Sequence, residues 1–309
     1  MGLISVNFFI FVLVALISYF LFPDRYKWVV LLGFSFAYYV IICGKFIPFM
    51  LLTILTTYLA TRTIDSIYKK MTQTVKENKA VWDRDMRKSY KKKMENKAKY
   101  VMLAALVFNF GILAFFKYFG KVMPLGISFY TFQTLTYVID VYRGDCKAQR
   151  SFLKYLLYLS MYFQLVAGPI VRYTDVEKEI ENRAIGVTAA AEGVQRFICG
   201  LAKKAIIADT AAEIVKMYMD TEISNLSTAA AWLGSFMYII QLYFDFSGYS
   251  DMAIGLGKIF GFKFPENFNY PYISKSVSEF WRRWHMTLGS FFRDYVYIPL
   301  GGNRKRVFF

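Results

Sequence analysis

Uninterrupted apolar segments constrain the fold of this chain more than any other feature of its sequence. Residues 1–22 carry no charged side chain, and about 20 apolar residues are enough for a helix to cross the hydrocarbon core of a bilayer. Further apolar runs occupy residues 28–43, 46–61, 100–119, 122–142, 152–171, 187–208 and 229–246, and a shorter Gly-rich run occupies 252–262. The sequence therefore predicts an all-α, polytopic integral membrane protein with about eight or more membrane-embedded helices.

The composition excludes several classes of soluble protein and of metal site. Hydrophobic residues make up 56% of the 309 residues and charged residues only 19%, whereas soluble domains contain about 25% charged residues. Cys43, Cys146 and Cys199 are odd in number and far apart, so a disulfide framework and a Cys-based zinc site are excluded. His285 is the single histidine, so this chain alone supplies no two-histidine site, and no metal is predicted.

The positive charge is concentrated in one connection between apolar runs. Residues 62–99 contain 13 Lys and Arg against 5 Asp and Glu, a net charge of +8, which is half of the +16 of the whole chain. The positive-inside rule predicts that 62–99 is a basic cytoplasmic loop and that the N-terminus lies outside, with anionic membrane lipid as a partner. The aromatic residues lie in the apolar runs rather than among the lysines, so no nucleic acid is expected as a partner. No repeat or long linker divides the chain, which predicts a single membrane domain over 1–309.

Polar residues interrupt two of the apolar runs. The segment 124–133 mixes Pro, Gly, Ser and Gln into an aromatic run, which is typical either of a helix packed closely on a neighbour or of a helix that lines a cavity. In the segment 164–173, Gly168-Pro169 is expected to end or kink a helix, and Arg172 is then expected to reach the headgroups. Broken or re-entrant segments are therefore predicted here.

Two aspartates lie at the end of the apolar run 229–246. Asp245 and Asp251 are six residues apart, which is about 600° of rotation along a helix. They are therefore not expected to form an acid/base pair unless Ser247-Gly248 breaks the helix. Two interpretations remain: the carboxylates line a functional cavity, or they accept hydrogen bonds from local backbone donors and pair with arginine.

The segment 269–285 contains the strongest local signal. Ser276-x-x-Glu279 is a capping-box pattern and predicts that a helix begins there. On a continuous helix Trp281, His285 and Leu288 share one face.

The basic residues Arg282 and Arg283 project about 100° and 200° from that face. The histidine, which has Trp281 and Trp284 as neighbours in sequence, is either a packed and hydrogen-bonded side chain or a group that transfers protons near neutral pH. The arginines hold phosphates of a donor or anchor the helix.

Four strings carry a resemblance to a known family. They are PLGISFYTFQTLTYVIDVYRGD (124–145), QLVAGPIVRY (164–173), YFDFSGYSDMAIGLGKIFGFKFPENFNYPYI (243–273) and EFWRRWHMTLGSFFRDYVYIPLGGNR (279–304). Together, and in this order, they resemble the membrane-bound O-acyltransferase family, in particular its alginate O-acetyltransferase branch. The teichoic-acid D-alanyl transfer branch shares the architecture and is less similar around the Gly-Pro and Gly-Ile-Ser-Phe segments.

The resemblance implies an enzyme of the bacterial cytoplasmic (inner) membrane with a pore or tunnel. Such an enzyme transfers an acyl group, in the first instance acetyl, to hydroxyls of an exported polysaccharide such as alginate or another cell-surface glycan. The implied donor is acetyl-CoA or another acyl donor, used as a substrate from the cytoplasmic side, and no bound cofactor is expected. A periplasmic or extracellular glycan-modifying protein is the implied partner. The alternatives are D-alanyl transfer to teichoic acid, peptidoglycan O-acetylation, a transporter-like protein and an inactive fragment.

The resemblance also assigns roles to residues. The family has two characteristic histidines, and the first maps onto His285, which would orient the acyl carbonyl or assist proton transfer. The second, usually given the central catalytic role, lies in a Leu-Trp-His-Gly-like string on a later helix that this sequence does not contain. We therefore expect this sequence to be the N-terminal portion of such an enzyme, with little or no activity alone. Arg282, Arg283, Trp281, Trp284, Asp245 and Asp251 are the predicted donor-binding or cavity-lining residues.

Overall fold

The chain is described by a computed structural model that covers residues 5–120, 122–165, 168–183, 186–219 and 226–304. All regular secondary structure in these ranges is helical, which confirms the predicted all-α class. Residues 1–4 of the first apolar run and residues 166–167 of the segment 164–173 lie outside the described part. The α-helices are α1 (Val6–Leu21), α2 (Lys27–Cys43), α3 (Ile47–Glu77), α4 (Arg84–Tyr118), α5 (Ile127–Arg143), α6 (Phe152–Ser160), α7 (Tyr173–Glu181), α8 (Val187–Ala202), α9 (Asp209–Met219), α10 (Thr228–Ile259), α11 (Val277–Arg283) and α12 (Met286–Phe291).

The chain divides into two compact units. The first unit contains Met1–Ser18, Val166–Val171 and Glu181–Phe309, and the second contains Tyr19–Leu165 and Arg172–Ile180. The predicted active-site residues all belong to the first unit. The basic segment 62–99 belongs to the second.

The longest helices of the second unit exceed the thickness of a bilayer. A 3-10 turn joins α2 to α3, so that Lys27–Glu77 runs as one helical stretch of 51 residues, and α4 has 35 residues. At 1.5 Å per residue, α4 is about 52 Å long, against about 30 Å for the hydrocarbon core. Within the described residues these are the two stretches that are long and apolar enough to cross a membrane, and α1 is a shorter apolar helix.

The predicted basic loop is a helical hairpin. Its two arms are the polar ends of α3 and α4, and the turn between them occupies residues 78–83. Asp83 begins α4 as its N-cap, because its carboxylate accepts a hydrogen bond of 2.7 Å from the backbone N–H of Met86. The segment 62–99 therefore projects from the apolar parts of two helices.

The burial pattern differs from that of a soluble protein, because some polar side chains are buried and many large apolar side chains are exposed. Thr53, Thr57 and Asn109 are buried among the helices of the second unit, whereas Val107 of α4 is 72% exposed. In the first unit Trp232 of α10 is 74% exposed. Large apolar side chains that face outward along several helices are the surface that lipid covers.

Tyrosines form the core of the second unit. Tyr137, Tyr155 and Tyr173 are buried, and the ring of Tyr137 lies 4.7 Å from each of the other two. Tyr155 and Thr57 share a hydrogen bond of 2.9 Å between their hydroxyls, and the backbone N–H of Gln149 donates to the Tyr137 hydroxyl at 2.7 Å. The buried tyrosines therefore join separate segments of this unit through hydrogen bonds of their hydroxyl groups.

Three of the predicted apolar runs differ from the structure. The run 152–171 is not one helix, because α6 ends at Ser160 and the described residues from Met161 to Arg172 are irregular. A change of direction at Gly168-Pro169 was expected, and Gly168 has a φ of +115°. The runs 229–246 and 252–262 are instead parts of a single helix, α10.

Candidate active site around His285

Paired glycines bring α8 and α10 into close contact. A Cβ atom on Gly193 would lie 2.8 Å from the carbonyl oxygen of Gly255, and one on Gly200 would lie 2.6 Å from that of Gly248. The pairs are one heptad apart on each helix, and the chain directions are opposite. Small residues at such a crossing allow the backbones to approach, as is common between membrane helices.

The carboxylate of Asp251 lies between these two glycine contacts. It is buried and accepts hydrogen bonds from Arg196 Nε at 2.8 Å and from Lys203 Nζ at 2.6 Å. Asp245 forms an ion pair with Lys204 at 2.5 Å. Since α10 continues through Ser247-Gly248, the two carboxylates do not form a pair, as the spacing of six residues predicted, and they bind different cations.

No sequence pattern singled out Arg196, Lys203 and Lys204. Their signal was present, because basic residues within an apolar run such as 187–208 need a partner or a polar cavity. Lys203 and Lys204 begin a π-helical turn (Lys203–Ala208) that follows α8. Such turns are frequent at functional sites.

A cleft of about 490 Å³ opens beside this cluster. Arg196 also donates to Glu266, at 3.1 Å from Nη1 and 2.5 Å from Nη2. Arg196, Lys203, Asp251 and Glu266 therefore bring two positive and two negative charges to the cleft wall, which is completed by aromatic rings that include Tyr243. The charges on the wall are balanced.

The helix that carries the Trp-Arg-Arg-Trp string begins as predicted. The Ser276 hydroxyl accepts a hydrogen bond from the Glu279 backbone N–H at 3.1 Å. The Glu279 carboxylate accepts one from the backbone N–H of Lys275 at 3.0 Å, one residue earlier than in a regular capping box. These two hydrogen bonds fix the first turn of α11 to the residues that precede it.

The same helix ends earlier than predicted, so the expected face shared by Trp281 and His285 is wrong. α11 ends at Arg283, and His285 has a left-handed backbone, with φ +44°, before α12 begins at Met286. The cause is a contact distant in sequence. The carbonyl of Asn267 accepts a hydrogen bond from the Met286 N–H at 2.9 Å.

His285 is held by the side chain of Asn267. Its Nδ1 lies 3.0 Å from Asn267 Oδ1, and its ring meets that of Phe246 edge to face at 4.7 Å. Asn267 is fully buried, and its Oδ1 also accepts a hydrogen bond of 2.8 Å from the Thr287 hydroxyl. In the described part of the chain, His285 Nε2 has no hydrogen-bond partner.

Burial lowers the pKa of His285 to about 4. Within the part of the chain that the structure describes, no carboxylate compensates for the lost hydration of an imidazolium at this position. The ring is therefore neutral at physiological pH, which leaves one of its nitrogens with a lone pair.

The two tryptophans of the string differ in position. Trp284 stacks on Phe280 at 5.6 Å and meets Phe268 edge to face at 5.1 Å. Trp281 is 59% exposed and touches Phe280 from the outside. Trp284 thus belongs to the aromatic packing beside His285, and Trp281 does not.

The two arginines also differ. Arg283 donates to Glu279 Oε1 at 2.9 Å and to the carbonyl of Asn269 at 3.2 Å, so it joins α11 to the preceding segment. Arg282 is exposed and uses Nε to bond the Ser278 carbonyl at 3.1 Å. The anchoring role fits Arg283, whereas Arg282 forms no ion pair within the described residues.

Sequence reasoning also missed Asn267 and Thr287. Both lie in the strings that carried the resemblance, but nothing in their spacing from His285 indicates a contact. An Asn in an apolar surrounding needs partners for its amide, and that requirement was the available signal.

Comparison with known proteins relates this site to a family. The family model of membrane-bound O-acyltransferases matches residues 148–308, which is more than half of the chain. A probable alginate O-acetylase, AlgI, of Pseudomonas putida is 47% identical over 206 residues, which cover 67% of this chain and 42% of that protein. The peptidoglycan O-acetyltransferase of Helicobacter pylori is 36% identical over 250 residues, covering 66% and 47%.

A more distant relative is the teichoic acid D-alanyltransferase of Bacillus subtilis, 36% identical over 179 residues, covering 56% of this chain and 45% of the relative. The chain spans about two fifths of the length of the curated relatives it matches. The matched range 148–308 contains the glycine-packed helices, the cleft and His285. The chain belongs to the membrane-bound O-acyltransferase family and is an integral membrane protein.

Proposed function

We propose that this protein takes part in O-acyl transfer, with acetyl as the acyl group and a hydroxyl of an exported polysaccharide as the acceptor. One observation carries the proposal: His285 is half-buried, neutral and held at Nδ1, inside the range that matches the family. The alginate and peptidoglycan acetylation in the names of two relatives supports a glycan acceptor. The aminoacyl transfer named for a third gives the alternative, D-alanylation of teichoic acid.

The chemistry needs a proton acceptor. The acceptor hydroxyl oxygen attacks the acyl carbonyl carbon and forms a new C–O bond, and its proton passes to an imidazole nitrogen. The bond between the acyl carbon and its leaving group then breaks, and the leaving group takes the proton. General-base assistance of this kind contributes about 10²–10⁴-fold.

The geometry favours one of the two roles expected for His285. A neutral ring that donates from Nδ1 to Asn267 has a lone pair at Nε2 and no second N–H. Nε2 can therefore accept a proton, but it cannot donate a hydrogen bond to an acyl carbonyl. We therefore assign His285 to proton transfer.

The donor is acetyl-CoA or another acyl donor. The exposed Arg282 fits a donor phosphate better than Arg283, which is engaged within the protein. Asp251 fixes Lys203 and Arg196 at the cleft, Asp245 pairs with Lys204, and neither carboxylate touches the reacting groups in this proposal. Trp284 supports the aromatic wall beside His285.

The proposed setting is the bacterial cytoplasmic membrane, with eight or more membrane-embedded segments and an irregular, re-entrant stretch around Gly168-Pro169. Outward-facing apolar residues on α1, α4, α8 and α10 support more embedded helices than the two long stretches alone. The partners in this proposal are anionic lipid at the basic hairpin and an outer glycan-modifying protein.

Radioactive acetyl transfer tests the proposal. Membrane vesicles containing the chain together with a supplied C-terminal family segment are given labelled acetyl-CoA, and label in the polysaccharide is counted. We expect incorporation that falls at least about 10²-fold in His285→Ala at equal protein level. Equal incorporation by the variant would show that His285 takes no part in the reaction.

Two further arms separate the alternatives. Substrate flux without incorporated label would indicate a transporter, and labelled D-alanine in teichoic acid would indicate the aminoacyl branch. Full turnover by this chain without the supplied segment would contradict the expectation that it has little activity alone.

A further inference from the structure

The contacts of Asn267 bear on which nitrogen of His285 carries the proton. The starting observation is a hydrogen-bond chain whose direction is fixed by a backbone group. The N–H of Ile170 donates to Thr287 Oγ1 at 3.0 Å. Because its oxygen already accepts this bond, the Thr287 hydroxyl uses its own proton to donate to Asn267 Oδ1 at 2.8 Å.

The orientation of the Asn267 amide follows from its other contacts. The Thr287 backbone N–H also points to Oδ1, at 3.4 Å, and an N–H can only donate. On the opposite side Asn267 Nδ2 donates to the Ser250 hydroxyl at 3.1 Å. The oxygen of the amide therefore faces His285.

An acceptor at this position determines the tautomer of the ring. Oδ1 lies 3.0 Å from His285 Nδ1 and has no proton to give. Nδ1 must donate, and in a neutral imidazole Nε2 then keeps its lone pair. Free histidine prefers the opposite tautomer, so the protein works against the intrinsic preference of the ring.

The pair is also held mechanically. Asn267 is fully buried, and its backbone carbonyl receives the Met286 N–H at 2.9 Å, directly after His285. Ser250 ties the same amide to α10. Movement of Asn267 away from the imidazole therefore requires these two further hydrogen bonds to break.

We infer that Asn267 is a positioning residue that keeps His285 in the Nδ1–H tautomer, with Nε2 free to accept the hydroxyl proton. The catalytic meaning of this inference rests on the proposed O-acyl transfer, whereas the tautomer does not. A neutral amide is suited to this task. A carboxylate in its place would hold the same tautomer and raise the pKa of the ring.

The single histidine makes the test direct. The full chain is labelled with ¹⁵N-histidine in lipid nanodiscs, and long-range ¹H–¹⁵N correlation identifies the protonated ring nitrogen. We expect Nδ1–H in the unmodified chain and in Asn267→Asp, and a shift towards Nε2–H in Asn267→Ala. Asn269→Ala is the matched control two residues away, and its tautomer should not change.

Other outcomes are equally informative. Nε2–H in the unmodified chain, or Nδ1–H retained in a folded Asn267→Ala, would overturn the inference. If Asn267→Ala does not fold, Thr287→Val tests the same chain of bonds, because loss of the hydroxyl removes the shortest bond that orients the amide and should raise the share of Nε2–H.

Activity is measured separately. With the supplied C-terminal segment, Asn267→Ala should lower kcat about 10-fold or more and leave KM unchanged, while Asn267→Asp shifts the pH profile upward. The expected tautomers without any acyl transfer would reject the proposed function and leave the positioning role standing.

Discussion

Basic side chains have opposite environments in two regions of this molecule. On the polar arm of α4, Lys88, Lys91, Lys92, Lys93, Lys97 and Lys99 are exposed and form no ion pair within the described residues. At the α8–α10 contact, Arg196, Lys203 and Lys204 each bind a carboxylate. Lysines in the first region keep their hydration, and those in the second replace part of it with fixed partners.

The difference shows that net charge and local charge carry separate information. The +8 of residues 62–99 is a property of a surface, and removing one charge leaves the others solvated. The cleft cluster is balanced, so the loss of one member leaves a partly buried charge without its partner. Mutational effects should therefore be large at the cleft and small on the hairpin.

The largest expected effect is that of Asp251→Ala. It removes the shared acceptor of Arg196 and Lys203, whose side chains are only 36% and 33% exposed. We expect a loss of about 2–4 kcal/mol in the free energy of unfolding, measured by SDS titration in mixed micelles. Glu95→Ala on the hairpin is the matched control and should change it by less than about 0.5 kcal/mol. Equal losses in the free energy of unfolding at the two positions would contradict the expected difference between the cleft cluster and the hairpin.

Alanine at two glycines should give effects of opposite sign. Gly200→Ala places a methyl group 2.6 Å from the Gly248 carbonyl oxygen, and we expect a loss of about 1–3 kcal/mol. A Cβ atom on Gly111 of α4 would have no other atom within 4 Å, so Gly111→Ala should gain about 0.5–1 kcal/mol from helix propensity. The same unfolding titration measures both, and a neutral Gly200→Ala would show that the helices can separate without cost.

Stability should decrease in acid through His285. Its pKa is lowered to about 4 in the folded protein, against about 6.5 in an unfolded chain. Between these values the unfolded chain binds more protons, so stability is complete above pH 6.5 and falls as the pH drops towards 4. With allowance for partial exposure, the loss is about 1–2 kcal/mol. Unfolding titrations at pH 7.5 and 5.0 should differ less in His285→Asn, and an unchanged difference would contradict the assignment.

The smallest effect on stability is expected on the hairpin, where the readout is lipid. Lys92, Lys97 and Lys99 lie within about 12 Å of the apolar run that begins at Tyr100, whereas Arg84 lies about 24 Å away, beyond the headgroups and one Debye length. The triple variant Lys92→Gln, Lys97→Gln, Lys99→Gln should unfold within about 0.5 kcal/mol of the parent. It should lose about fivefold or more in preference for spin-labelled phosphatidylglycerol over phosphatidylcholine.

A matched set at the tip, Arg84→Gln, Arg87→Gln, Lys88→Gln, removes the same charge from the same helix. We expect it to retain the lipid preference. If both sets weaken it alike, the hairpin attracts anions as a whole and not through headgroups.

Local patterns predicted the parts of the structure that local contacts decide. The lengths of the apolar runs predicted α1 to α4. The pattern Ser276-x-x-Glu279 predicted the start of α11, because a helix cap depends on neighbours within one turn. The end of α11 was missed, since it depends on Asn267, which is 16 to 19 residues away from Arg283 and Met286. The partners of Asp251 come from α8 and from the π-helical turn after it, about 50 residues earlier, and no pattern in α10 alone identifies them.

The left-handed backbone of His285 limits which replacements are informative. At φ +44° most residues with a Cβ are strained, and Asn, Asp and Gly tolerate the conformation best. His285→Ala therefore combines two losses, that of the imidazole and that of a suitable backbone. His285→Asn separates them, because asparagine keeps the turn and removes the base. In mutational terms this position accepts few residues on conformational grounds alone, before any demand of chemistry is added.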